Sequence, residues 1–207
     1  MNILPKEFPQ FEESVYAGFG RRLGAILLDI LITLPFLMGI GYVQGMSQTL
    51  YTAGLVVVFI FIFFYYIYAV KAYGASPGKH IAGIKIVKLD GTDVTWNEAI
   101  LRSLVDICLM AFGFTIGYLS VMSMSADEYE SLTFMTRGPR MQEYSPEMFM
   151  VQGILGFVWP FSEPIVLLFN KRRRALHDFI GETLVIKAKY QKQILEIAAQ
   201  SPNENAH

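Results

Sequence analysis

Residues 50–70 read LYTAGLVVVFIFIFFYYIYAV and contain no Asp, Glu, Lys or Arg. As a helix rising 1.5 Å per residue, such a run covers about 30 Å, the thickness of bilayer hydrocarbon. Three further runs flank it: 23–43, broken by Asp29 and Pro35; 103–122, with Asp106; and 148–169, with Glu163 between Pro160 and Pro164. Gln44–Thr49 joins the first two runs, short enough to predict an antiparallel helical hairpin. The proline pair predicts a kink in the fourth, since it frees backbone carbonyls that neighbours must satisfy. Hydrophobic residues make up 53% of the 207, and charged ones 17%, against about 25% in soluble domains. That balance excludes a disordered or collagen-like chain, and the lone Cys108 excludes a disulfide scaffold. The fold class expected is an all-α membrane protein, a four-helix transmembrane bundle.

Orientation follows from where basic residues fall, because Lys and Arg near span ends stay on the cytoplasmic side. With the N-terminus inside, only Arg137 and Arg140 of the 17 Lys and Arg lie outside. Both termini are therefore expected in the cytoplasm, in a multi-pass protein of a bacterial cytoplasmic membrane. The outer segment 123–147 is acidic, with Asp127, Glu128, Glu130, Glu143 and Glu147. Residues 1–20 form a polar N-terminal segment holding Lys6, Glu7, Glu12 and Glu13, not a cleavable signal peptide. The membrane domain is expected over 21–187, with 188–207 as a cytoplasmic helix and tail.

Between spans two and three, Ile84–Leu89 (IKIVKL) alternates apolar with basic residues, and Asp90-Gly91 supplies a turn before Val94-Thr95-Trp96. This predicts a small cytoplasmic hairpin or interfacial segment. Thr95 and Glu98 stand in capping-box relation, so a helix should start near Asn97.

Charges inside spans need a stated reason, since each costs about 2.5–3.5 kcal/mol at the centre of a span. Arg22 and Asp29, seven residues apart, share a helix face at roughly 10 Å and cannot bond each other. Asp29 must find its partner on another helix, in a wet cavity or in its own proton. Arg102 and Asp106 are spaced for direct i, i+4 pairing, as are Arg174 and Asp178. Two roles fit these groups: an ion-pair cluster that docks helix ends, or a carboxylate that binds a cation or cycles a proton. Glu163 beside Pro164 could share a cation with freed carbonyls, or sit solvated at the interface.

Other signals carry less. Gly78-Lys79 resembles the end of a phosphate loop, but Tyr73 and His80 stand where that loop needs Gly and Ser or Thr. His80, His177 and His207 lack partners at metal-ligand spacing, so no metal, no cofactor, no nucleic-acid partner and no enzymatic activity are expected. The aromatic run 59–68 reads as a lipid-facing surface rather than a cofactor box. Lys171, Arg172, Arg173 and Arg174 offer a place for anionic lipid heads, though a topology signal also accounts for them.

Three blocks in order, FGRRLGAILLDILI (19–32), GASPGKHIAGIKIVKLDGTDVTWNEAILRSLVD (74–106) and RRRALHDFIGETLVI (172–186), resemble the RDD family of membrane proteins. The residues that name that family would be Arg22, Asp29 and Asp178. Its PGK segment would be Pro77, Gly78, Lys79, Gly83 and Val87, and the arginine before the third span Arg102. The resemblance implies transport of a small solute or cation, including cation/proton exchange. The segment 123–147 has no counterpart in the family's commoner three-span plan. Few polar faces on four helices make a narrow lone pathway, so a homo-oligomer or second membrane subunit is expected. The competing class is a non-transporting accessory or assembly subunit of a membrane complex.

Overall fold

The structure, a computed structural model, describes residues 3–200; positions 201–207 of the expected tail lie outside the described residues. Along the chain, α1 (Phe19–Gln44) and α2 (Gln48–Tyr73) are followed by the short α3 (Pro77–Ile81) and strand β1 (Ile84–Lys88). Then come α4 (Trp96–Met122), α5 (Ala126–Ser131), α6 (Phe134–Tyr144) and α7 (Pro146–Phe169). The chain continues with α8 (Leu176–Ile180), β2 (Thr183–Lys187) and α9 (Gln191–Gln200). Four of these, α1, α2, α4 and α7, are long and apolar enough to cross a membrane. Their large apolar side chains are largely exposed, Leu31, Val56, Leu119 and Phe157 among them, as lipid-facing surfaces require.

The spans are longer than the apolar runs that reveal them. Helix α4 begins seven residues before Ser103, because Glu98 accepts from the Thr95 N–H at 2.7 Å and so satisfies the entry to the first turn. Helix α7 runs continuously through Pro160 and Pro164. Within α2, Phe63–Tyr68 winds as a π-helical turn, which buries Tyr65 and Ile67 while Phe64 and Tyr68 stay exposed. The aromatic run is thus not uniformly lipid-facing: the wider turn rotates Tyr65 inward.

The chain divides into two compact units. One comprises the residues up to Ile32, Phe64–Leu104 and those from Phe161 on. It departs from an all-α fold, because β1 pairs antiparallel with β2 in the register Ile84↔Lys187, Ile86↔Val185, Lys88↔Thr183. The expected hairpin is reduced to a turn, with Lys88 N–H bonded to Thr92 O at 2.9 Å and a lone bridge between Val87 and Asp93. The reason is burial: all five residues of β2 are buried, an apolar face that the polar stretch after Asp90 does not offer. The N-terminal segment then lines the free edge of β2. Ala17 N–H donates to Val185 O and Lys187 N–H to Val15 O, both at 2.9 Å. Leu4, Phe8, Val15, Tyr16, Val87, Leu184, Ile186 and Ile194 close one core over this sheet.

The other unit comprises Thr33–Phe63 and Val105–Pro160. Here the acidic segment 123–147 is folded as α5 and α6. Fully buried Tyr129 donates to Gln44 O at 2.7 Å, and Arg137, stacked 5.0 Å from the Tyr129 ring, donates to Gly45 O at 2.9 Å. These bonds satisfy carbonyls left over at the end of α1.

Candidate functional site

The site is built in the first unit from the ends of α1, α4 and α7 and from the α8–β2 segment. Asp178 has no exposed surface. Its Oδ2 takes Arg22 Nη1 at 2.7 Å and the Ala175 N–H at 2.9 Å, and its Oδ1 takes Arg102 Nη1. Arg102 also donates to Thr183 Oγ1 at 2.8 Å, and Arg22 to the Ala17 and Arg173 carbonyls. Burial alone would raise the Asp178 carboxyl. Arg102, then Arg22 and His177, outweigh it and hold the group far below the usual carboxylate range.

His177 extends this centre. Arg102 Nη2 lies against His177 Nε2, and His177 Nδ1 against Glu163 Oε2; the His177 backbone N–H donates to Glu163 Oε1 at 3.1 Å. A guanidinium can only donate, so Nε2 is the acceptor and the proton of the neutral ring sits on Nδ1, facing Glu163. Burial and Arg102 push the His177 pKa below its ordinary value, against Asp178 and Glu163, which pull it up. A proton arriving at Nε2 would turn the acceptor into a donor and expel Arg102 Nη2.

Asp29 sits apart from the arginines' hydrogen bonds. Its Oδ1 accepts from Tyr65 Oη at 2.8 Å and from the Gly78 N–H at 2.7 Å, and its Oδ2 from Ser76 Oγ at 2.6 Å. The carboxylate therefore does from another helix what an N-cap side chain does locally for α3, whose own N-cap, Ser76, has turned its hydroxyl toward Asp29. Gly78 makes this approach feasible, since a Cβ there would stand 2.5 Å from Asp29 N and 2.6 Å from Ala25 O. Gly181 does the same where the chain enters β2, where a Cβ would meet Arg102 Cβ at 2.7 Å. Gly83, at φ +67°, makes the left-handed turn into β1. Lys79 is half-buried beside this centre; burial and Arg102 push its ammonium down to about 8, opposed by Asp29.

The remaining sequence candidates go elsewhere. Arg174 donates to the Thr183 carbonyl at 3.1 Å and the Asp178 carbonyl at 2.8 Å, and stacks 4.0 Å from the Phe179 ring. Asp106 belongs to the other unit and accepts from Trp159 Nε1 at 2.9 Å. Four participants, Tyr65, Ser76, His177 and Thr183, carry no sequence signal of their own, because each is recruited by a carboxylate or guanidinium distant along the chain.

A model of the RDD family matches residues 16–182. The chain belongs to the RDD family. Comparison with curated proteins and with solved structures finds no match. Within the matched range, Arg22 and Asp178 bond each other, and Asp29 holds the turn at Gly78.

Proposed function

We propose that this RDD membrane protein moves a small solute or cation in exchange for protons, with His177 and Glu163 as the proton-handling pair. What carries the reading is the neutral imidazole held between a guanidinium and the carboxylate of a spanning helix. Perturbed titratable groups of this kind cluster at functional sites, and protonation at Nε2 would release Arg102 from one of its contacts. Asp29 and Asp178 are then the frame: Tyr65, Ser76 and the Gly78 N–H donate to the first, and Arg22 and Arg102 bind the second. The distribution of Lys and Arg supports both termini in the cytoplasm of a bacterial cell, with the sheet and His177 on that side and α5 and α6 outside.

The second reading, an accessory subunit, is favoured by how little each span buries: in α7 only 6% of the apolar window is covered by the chain itself. Proteoliposomes containing a pH-sensitive dye separate the two. Addition of Na⁺ or K⁺ should drive proton movement through wild type; Glu163→Gln and His177→Gln should accumulate normally and lose at least tenfold in rate. No cation-driven proton movement by wild type between about pH 6 and 9 would leave the accessory reading in place.

A further inference from the structure

Two glycines on one face of α4 make room for polar side chains from other spanning helices. A Cβ on Gly113 would collide with the Gln152 amide of α7, and one on Gly117 with Tyr51 Oη of α2. Ser120 follows three residues after Gly117 on the same face. It has no exposed surface, and its Oγ has no hydrogen-bond partner among the described residues. Tyr51 Oη and the Gln152 amide likewise make no hydrogen bond among them. All of these groups belong to the unit of Thr33–Phe63 and Val105–Pro160. The other hydroxyls of this stretch of α4 are satisfied by their own helix. Thr115 donates to the Ala111 carbonyl at 2.9 Å and Ser123 to the Leu119 carbonyl at 2.8 Å, but Ser120 does not take the equivalent Ile116 carbonyl.

Buried polar atoms without protein partners are where ordered water sits, because a hydroxyl cut off from both is costly. Phenol, amide and alcohol share one property: each both donates and accepts. Water matches that property, whereas a cation would use the oxygens alone and leave their hydrogens opposed to its charge. Side chains three and four residues apart on one helix face stand about 5–6 Å from each other, which one water spans with two hydrogen bonds of about 2.8 Å. We infer that Ser120, Tyr51 and Gln152 hold a file of water molecules along α4. From Met122 back to Gly113 the helix rises about 14 Å, so the file reaches roughly the middle of the hydrocarbon. It enters from the end where α4 leads into α5. The inference goes beyond the function proposed above, and holds whether the chain moves ions itself or serves another subunit.

The test uses the full chain with Cys108 replaced by Ala, in phosphatidylcholine vesicles. Ser120→Cys and Gln152→Cys report on the file; Leu119→Cys and Val151→Cys, at exposed neighbouring positions of the same two helices, report on lipid. Only a thiolate attacks, and a thiolate forms only in water, so 2-aminoethyl methanethiosulfonate should modify each of the first two at least tenfold faster than its neighbour. A rate within threefold of the neighbour's at either position would overturn the proposal. A second measurement needs no substitution. Met141 Cε would lie 3.6 Å from a Gly117 Cβ, and Met124, as deeply buried in the same core, serves as the control. Hydroxyl radicals generated from water by an X-ray pulse should oxidise Met141 at least threefold faster than Met124. Equal oxidation of the two would overturn the proposal even if the cysteine variants fail to accumulate.

Discussion

Replacing Asp178 with Asn removes one charge from a place with no exposed surface and leaves two guanidiniums facing it, Arg22 Nη1 at 2.7 Å and Arg102 Nη1. The amide can still accept one bond, but its NH₂ must point at the other arginine or at the Ala175 N–H that Oδ2 now accepts. Removing one partner of a buried pair costs about 3–5 kcal/mol, because the surviving charge is desolvated without compensation. For a chain of this size that corresponds to a fall in Tm of roughly 6–20 °C. Trp96 and Trp159 allow the transition to be followed by intrinsic fluorescence in detergent. The cause is separable from simple loss of packing: Arg102→Met in the Asp178→Asn background deletes the orphaned cation. The double variant should then be more stable than the two single losses added, with a coupling of about 0.5–3 kcal/mol. A Tm for Asp178→Asn within about 2 °C of wild type, or additive losses in the cycle, would refute the account of Asp178 as a charge lock.

Gly78→Ala should destabilise by about 1–3 kcal/mol, since its Cβ would stand 2.5 Å from a backbone nitrogen that cannot swing away; an unchanged Tm would show that α3 packs less closely on α1. His177 is neutral when folded and takes a proton more readily when unfolded, so its contribution to stability is intact above about pH 6.5 and declines as pH falls below it, toward the lowered folded value. Thermal scans of wild type should show that decline and those of His177→Gln should not; parallel curves would contradict it. With Cys108 replaced by Ala, a cysteine at Ser131 should react with an impermeant thiol reagent in whole cells and one at Lys192 should not. The reverse pattern would invert the topology.

Span number and membrane class are legible in the sequence because hydrocarbon thickness translates directly into a count of consecutive apolar residues. The side expected for each loop rests on Lys and Arg in the same local way. That Asp29 cannot bond Arg22 along its own helix is also evident from the chain, since seven residues separate the two by two turns. The partner's identity is not. Arg22 and Asp178 meet across 156 residues of sequence, and Arg102 takes Asp178 rather than Asp106, its neighbour four residues on along α4. Strand β2 falls in the same class: TLVIK alone suits a buried strand or a helix end. Its pairing depends on β1, nearly a hundred residues earlier, and on the N-terminal segment that covers its other edge. Local spacing limits what a charge or a strand can reach within its own element. Which distant group satisfies a buried carboxylate is decided only when the helix ends and the sheet have packed, because the desolvation that makes the pairing necessary arises from that packing.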